Sequence, residues 1–154
     1  MKKIVFFLSS LMLLNGCSLW GGDAIPRLTV DVVAAANINP NLDGKPSPVE
    51  VRVYQLKDSE AFNQADFLQL YSDEQGTLKA AMIATRHLPS ALPGESKRES
   101  FNLNAETKFV GVIAGFADFR EAKNKAIYPI NAFENIRLKI DLDGVNLTVT
   151  AGDK

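Results

Sequence analysis

The chain has 154 residues, 46% hydrophobic and 23% charged, an ordinary globular balance that excludes disorder as its main state and favours one domain. A net charge of −1 leaves no basic surplus to condense on nucleic acid. One Cys and one His exclude an internal disulfide, and they argue against a transition-metal site, which usually draws most of its ligands from those residue types.

The chain opens with "MKK" and an apolar run, "IVFFLSSLMLL" (4–14), interrupted only by two serines. As a helix this run spans about 16 Å, roughly half the hydrocarbon core of a bilayer. It is too short for a transmembrane anchor and fits the apolar region of a secretory signal peptide. Leu14-Asn15-Gly16-Cys17 then resembles the lipobox of bacterial lipoproteins, with a branched apolar residue three before Cys and a small residue just before it. The resemblance implies cleavage between Gly16 and Cys17, diacylglyceryl on the sulfur and an acyl chain such as palmitate on the new amino group. Ser18 stands where lipoproteins held at the inner membrane commonly carry Asp, which implies the outer membrane. Removal of residues 1–16 takes Lys2 and Lys3 away, leaving 15 basic residues against 18 acidic ones, a net charge of −3. Residues 17–26 read as a short tether with slack at Gly21-Gly22, where Trp20 either rests at the membrane interface or packs on the domain. The folded domain is expected over 27–154.

Past the tether, period-two alternation dominates. "LTVDVVAAA" (28–36) places Leu28, Val30, Val32 and Ala34 on one face, and "VEVRVYQL" (49–56) opposes Val49, Val51 and Val53 to Glu50 and Arg52. Between these strands lies "ANINPNLDGKPSP" (36–48), with three Pro, three Asn and one Asp-Gly. A two-residue turn would join two strands, so the length and proline content of this connection call for a reason. Ile38 and Leu42 are its natural apolar anchors, and Asn37, Asn39 and Asn41 have side chains able to bond a partner's backbone. The alternative is a solvated turn whose Asn residues satisfy their own backbone as Asx-turns.

"KDSEAFNQADFLQLYSDEQGTL" (57–78) breaks the strand pattern. Asp58 and Asp66 are expected N-caps, and Phe67, Leu70 and Tyr71 share one helical face. Two short helices ending near Gly76 are expected. "LKAAMIATRHL" (78–88), "SKRESFNLN" (96–104) and "KFVGVIAGF" (108–116) read as further strands, the last apolar on both faces. In "IRLKIDLDGVNLTVT" (136–150), Asp143-Gly144 is the expected two-residue turn, pairing Leu142 with Val145, Ile140 with Leu147 and Leu138 with Val149. About seven strands and little helix predict a mainly β protein, an antiparallel two-sheet β-sandwich with a short inserted helical segment.

Catalytic constellations are weak. A Ser-His-Asp triad would need His87, the only histidine, which sits near a strand end with Ser90 and Ser96 in the following turn; no G-x-S-x-G elbow is present. Asp141 and Asp143 divide between strand face and turn. Asp66, Asp73 and Glu74 lack calcium-loop spacing and read as cap plus solvated face. No enzyme activity, metal or cofactor is expected.

Several stretches together resemble the TssJ family of outer-membrane lipoproteins of the bacterial type VI secretion system. They are "ANINPN", "PVEVRVYQLKDSEAF" (48–62), "ADFLQLY" (65–71), "LPGE" (92–95) and "FVGVIAGFADFR" (109–120). Many members carry a Trp shortly after the last of these, whereas this chain continues "EAKNKAIYPI". The resemblance implies a transthyretin-like sandwich without catalysis, facing the periplasm and lipid-anchored in the outer membrane. It implies binding to the periplasmic C-terminal domain of the inner-membrane protein TssM through the loop between the first two strands. The residues concerned are Asn37, Ile38, Asn39, Pro40, Asn41, Leu42, Asp43, Gly44, Lys45 and Pro46. A rival reading is a periplasm-facing lipoprotein that binds a small ligand or envelope polysaccharide. It predicts aromatics clustered on an exposed surface.

Overall fold

A computed structural model of the protein describes residues 22–153; the expected signal peptide, its cleavage site, Cys17 and Trp20 lie outside the described residues. Eight strands form two four-stranded sheets. Sheet A has the order β4 (Ser96–Asn102), β1 (Arg27–Ala34), β7 (Ile136–Asp143), β8 (Asn146–Ala151). Sheet B has the order β3 (Met82–His87), β2 (Glu50–Leu56), β5 (Phe109–Gly115), β6 (Lys125–Pro129). Pairing is antiparallel with one exception. β1 and β7 run parallel, with Leu28 opposite Ile136 and Ala34 opposite Leu142, within the expected antiparallel-dominated sandwich.

The alternation read in β1 holds, since Leu28, Val30, Val32 and Ala34 are all buried. They meet Leu138, Ile140, Leu142 and Leu147 of the same sheet and Val51, Val53, Val110, Val112 and Ala114 of the other, making one inter-sheet core. A second core lies on the outer face of sheet B, which explains why β5 is apolar on both sides. There Tyr54, Leu56 and Ile113 are covered by Phe62, Phe67, Leu70 and Leu78 of the inserted segment. The molecule therefore has three layers, sheet A, sheet B and helices.

The inserted segment holds three short helices rather than two: α1 (Glu60–Gln64), α2 (Phe67–Ser72) and α3 (Glu74–Leu78), followed by a 3₁₀ turn over Lys79–Ala81. Asp66 caps α2 as expected, accepting from the Gln69 amide at 2.8 Å while the Gln69 side chain accepts from the Asp66 amide at 2.9 Å. The cap of α1 shifts to Ser59, and Asp58 instead accepts from the Glu60 amide. Residues 78–81, expected to begin β3, are helical because Leu78 closes the second core.

Strand β6 falls in a stretch without a clear alternation. Lys125, Ala126, Ile127 and Tyr128 are all half-buried, and Pro129 is tolerated because the strand lies at an edge. The β7–β8 hairpin forms with its turn one residue later than expected. Asp143 pairs with Asn146, Leu142 with Leu147, Ile140 with Val149 and Leu138 with Ala151. Gly144 takes the positive-φ first turn position (φ 60°), as a Gly-X hairpin turn requires. Each partner moves by two residues, so every side chain keeps its face.

These pairings set the two ends of the sandwich. The chain enters β1 at one end, where the β4–β5 and β6–β7 connections and the C-terminus also lie. The opposite end gathers the β1–β2, β3–β4 and β5–β6 connections with the β7–β8 turn.

Candidate docking loop at one end of the sandwich

The β1–β2 connection divides into a buried neck and an exposed tip. In the neck Ile38 is fully buried and belongs to the inter-sheet core. Its carbonyl accepts from the Ser47 amide at 3.1 Å, which draws the two arms of the loop together. Asn39 is 5% exposed and adopts φ 48°, a left-handed conformation that Asn tolerates better than most residues. Its side chain donates to the Pro48 carbonyl and accepts from the Ala117 amide, both at 2.8 Å. Its own amide donates to the Gly144 carbonyl at 2.8 Å. One asparagine thus ties three connections of this end together.

Beyond the neck, Pro40 to Pro46 are all exposed, and Leu42 stands wholly in solvent at 107% relative exposure. The Asn41 side-chain oxygen accepts from the amides of Asp43 (3.0 Å) and Lys45 (2.9 Å), and its carbonyl accepts from Gly44. Gly44 sits at φ 72°, so this internally bonded turn requires its glycine. The tip is held by its own hydrogen bonds as well as by Pro40 and Pro46.

These contacts correct two expectations. Ile38 is a core residue rather than an exposed anchor. The side-chain oxygens of Asn37, Asn39 and Asn41 serve the fold: Asn37 accepts from the Gly144 amide, Asn39 from Ala117, and Asn41 from its own turn. The Asx-turn reading therefore describes Asn41 well. Leu42 is the large apolar side chain presented at the tip.

The polar residues weighed for catalysis fasten the helical layer to sheet B. His87 has its ring nitrogens 3.3 Å from Glu74 and 3.9 Å from Glu50. Glu74 accepts from the buried Tyr54 hydroxyl at 2.9 Å, and burial pushes that phenol well above its usual range. Arg52 donates to Glu50 at 2.7 Å and to the Tyr71 carbonyl at 3.0 Å, with its guanidinium 4.4 Å from the Tyr71 ring centroid. Glu74, expected on a solvated face, is thus drawn into a network between layers. Asp66 and Asp73 both cap helices. Among the described residues, no group of three or more His, Cys, Asp or Glu has metal-holding geometry. Of the described aromatic side chains, Phe133 and Tyr71 alone are large exposed hydrophobics, so the clustered surface predicted by the ligand-binding rival is not seen among these residues.

Residues 26–145 match the family model described as "Type VI secretion lipoprotein, VasD, EvfM, TssJ, VC_A0113". The chain belongs to this family. The TssJ relatives share its fold as well. The type VI lipoprotein TssJ1 from Pseudomonas aeruginosa superposes with a TM-score of 0.78 at 26% identity, over 85% of this chain and 99% of that one. Serratia marcescens Lip, a membrane-bound component of the type VI secretion system, shares the fold with a TM-score of 0.75 at 18% identity, over 85% and 100%. A chain in the structure described as the type VI protein TssM C-terminal domain from EAEC gives a TM-score of 0.70 at 28% identity, over 83% and 100%. No curated protein matches by sequence. The chain is thus a member of a family of type VI secretion lipoproteins. Among its described residues, no helix is long and apolar enough to cross a membrane.

Sequence reasoning missed Lys125, which joins the layers from the other side of the helical segment. Its ammonium donates to the carbonyls of Phe62 (2.8 Å), Asn63 (3.3 Å) and Ala65, capping the end of α1. The signal was faint, because a lysine opening a short edge strand looks like a solvated charge.

Proposed function

We propose that this protein is anchored in the outer membrane through lipid on Cys17 and binds the periplasmic C-terminal domain of TssM, fixing the trans-envelope secretion complex to that membrane. Its role is structural, and no reaction or cofactor is assigned to it. The observation that carries the reading is the β1–β2 tip, a self-bonded turn that presents Leu42 to solvent at the end of the sandwich opposite the chain entry. A lipid at the entry end leaves the tip facing into the periplasm. Little entropy is lost when a loop already held in shape meets a partner.

The contact set is Pro40, Asn41, Leu42, Asp43, Gly44, Lys45 and Pro46, with Leu42 as its anchor. Asn37, Ile38 and Asn39 act beneath it as the frame. Family membership supports the secretion role, and the likeness to a chain in a TssM C-terminal domain structure supports the partner. Ser18 after the cysteine supports the outer membrane. Pull-down of the full-length protein from bacterial envelopes should recover a large inner-membrane protein, and Cys17→Ser should leave the chain in the periplasm or inner membrane. Recovery without such a partner, or unchanged outer-membrane fractionation of Cys17→Ser, would overturn the reading.

A further inference from the structure

Phe133 is the most exposed aromatic side chain among the described residues, at 82%. It lies in the β6–β7 connection, at the end where the chain enters. The loop is anchored on both sides of it. The Asn131 side chain accepts from the Phe133 amide at 3.2 Å, Ala132 is buried, and the Asn135 side chain accepts from the Arg27 amide at 2.9 Å. The last bond fastens the loop to the first residue of β1. Ile25, two residues before β1, is also 62% exposed. Two exposed apolar side chains thus stand at the chain-entry end.

We propose that this end of the sandwich rests on the bilayer that anchors the chain, with Phe133 inserted at the lipid–water interface. The occupant follows from where the described chain ends. Arg27 follows Cys17 by ten positions, a reach of at most about 36 Å. The inference rests on the lipid anchor proposed above. With that anchor, the loop that touches Arg27 is held beside the membrane at high local concentration. A contact too weak to recruit a free protein then suffices to orient a tethered one. Glu134 follows Phe133 in the chain and Arg27 is bonded to the same loop, so this end carries both signs of charge and the contact is an apolar insertion rather than attraction to anionic lipid. Its consequence is to set the β1–β2 tip pointing away from the membrane.

The test uses the lipidated full-length chain in phosphatidylcholine–phosphatidylethanolamine vesicles, with acylation of Cys17 first verified by the mass of its peptide. Acylated Cys17 has no free thiol, so Glu134→Cys is the single site for an environment-sensitive fluorophore, and Lys45→Cys reports from the opposite end. At position 134 the emission should shift to the blue, iodide quenching should be lost, and brominated lipid should quench; position 45 should show none of these. Adding Phe133→Ser should abolish the three changes while leaving the thermal midpoint unaltered. The proposal is overturned if position 134 is quenched by iodide as strongly as position 45, if Phe133→Ser changes nothing, or if protection appears only after a periplasmic protein is added. An exposed label on an acylated chain overturns the membrane contact alone, whereas an unacylated Cys17 overturns the anchor as well.

Discussion

Ile38 and Leu42 stand four residues apart in one polar, proline-rich loop, and they have opposite fates. Ile38 is fully buried in the inter-sheet core, while Leu42 has no shelter at all. Truncating a buried isoleucine removes transfer energy and leaves a cavity, so Ile38→Ala should lower stability by about 2–5 kcal/mol. Leu42→Asp should change it by less than about 0.5 kcal/mol. Urea denaturation of the soluble domain measures both, and equal losses would mean that the tip packs on the fold. The sequence window holds nothing that separates the two residues, because both are single large apolar residues that follow an Asn in a polar loop. What separates them is tertiary. The Ile38 carbonyl is bonded across the loop to Ser47, and Asn39 reaches Ala117 and Gly144, 78 and 105 residues away. The asparagines looked alike for the same reason, although Asn41 serves its own turn while Asn39, at φ 48°, reaches Pro48 and Ala117.

At the scale of elements, alternation was a reliable guide wherever one face meets a core. It located β1, β2 and the β7–β8 hairpin, while an unbroken apolar run identified β5 as covered on both sides. It was less informative where burial is partial. All but the exposed Pro129 of the β6 residues are half-buried, so no period stands out, and the start of β3 was confused with the end of α3 because Leu78 is apolar in either reading. The hairpin turn slipped because Asp-Gly and Gly-Val are both workable two-residue turns that leave the same faces inward. Helical cover over sheet B depends on close approach at Gly111, where an added Cβ would lie 2.8 Å from the Phe62 ring. Gly111→Ala should therefore cost about 1–3 kcal/mol by overpacking. The loss should appear chiefly as faster hydrogen exchange in α1 to α3. Uniform loss across both sheets would contradict the view that the helices form a separate layer.

For the molecule as a whole, two carboxylates link stability to pH. The hydrogen bonds from Arg98 hold Asp31 below its ordinary range, outweighing burial. Burial pushes Glu50 upward, but hydrogen bonds from Arg52 and Tyr71 outweigh it and leave the group lowered. A carboxylate with a depressed folded pKa contributes stability that is present above its unfolded pKa and lost as pH falls through the folded value. The urea midpoint should accordingly stay level from neutrality to about pH 5 and fall below about pH 4. Glu50→Gln should lower the neutral midpoint and flatten that acid slope, whereas an unchanged slope would remove Glu50 from the account.

The same two-ended architecture underlies the functional reading, with the chain entry and Phe133 at one end and the Leu42 tip at the other. Family membership was legible in the sequence because its residues recur as short, distinctive runs across most of the domain. Which residues of the β1–β2 loop are exposed was only half legible, since exposure within a loop is decided by the fold. The most direct measurement is calorimetric titration of the soluble domain against the purified periplasmic C-terminal domain of TssM, comparing wild type with Leu42→Asp. The account predicts saturable binding that Leu42→Asp weakens by about tenfold or more, corresponding to at least about 1.4 kcal/mol, with an unchanged melting temperature. Equal affinity of the two proteins, or no binding by wild type, would contradict it.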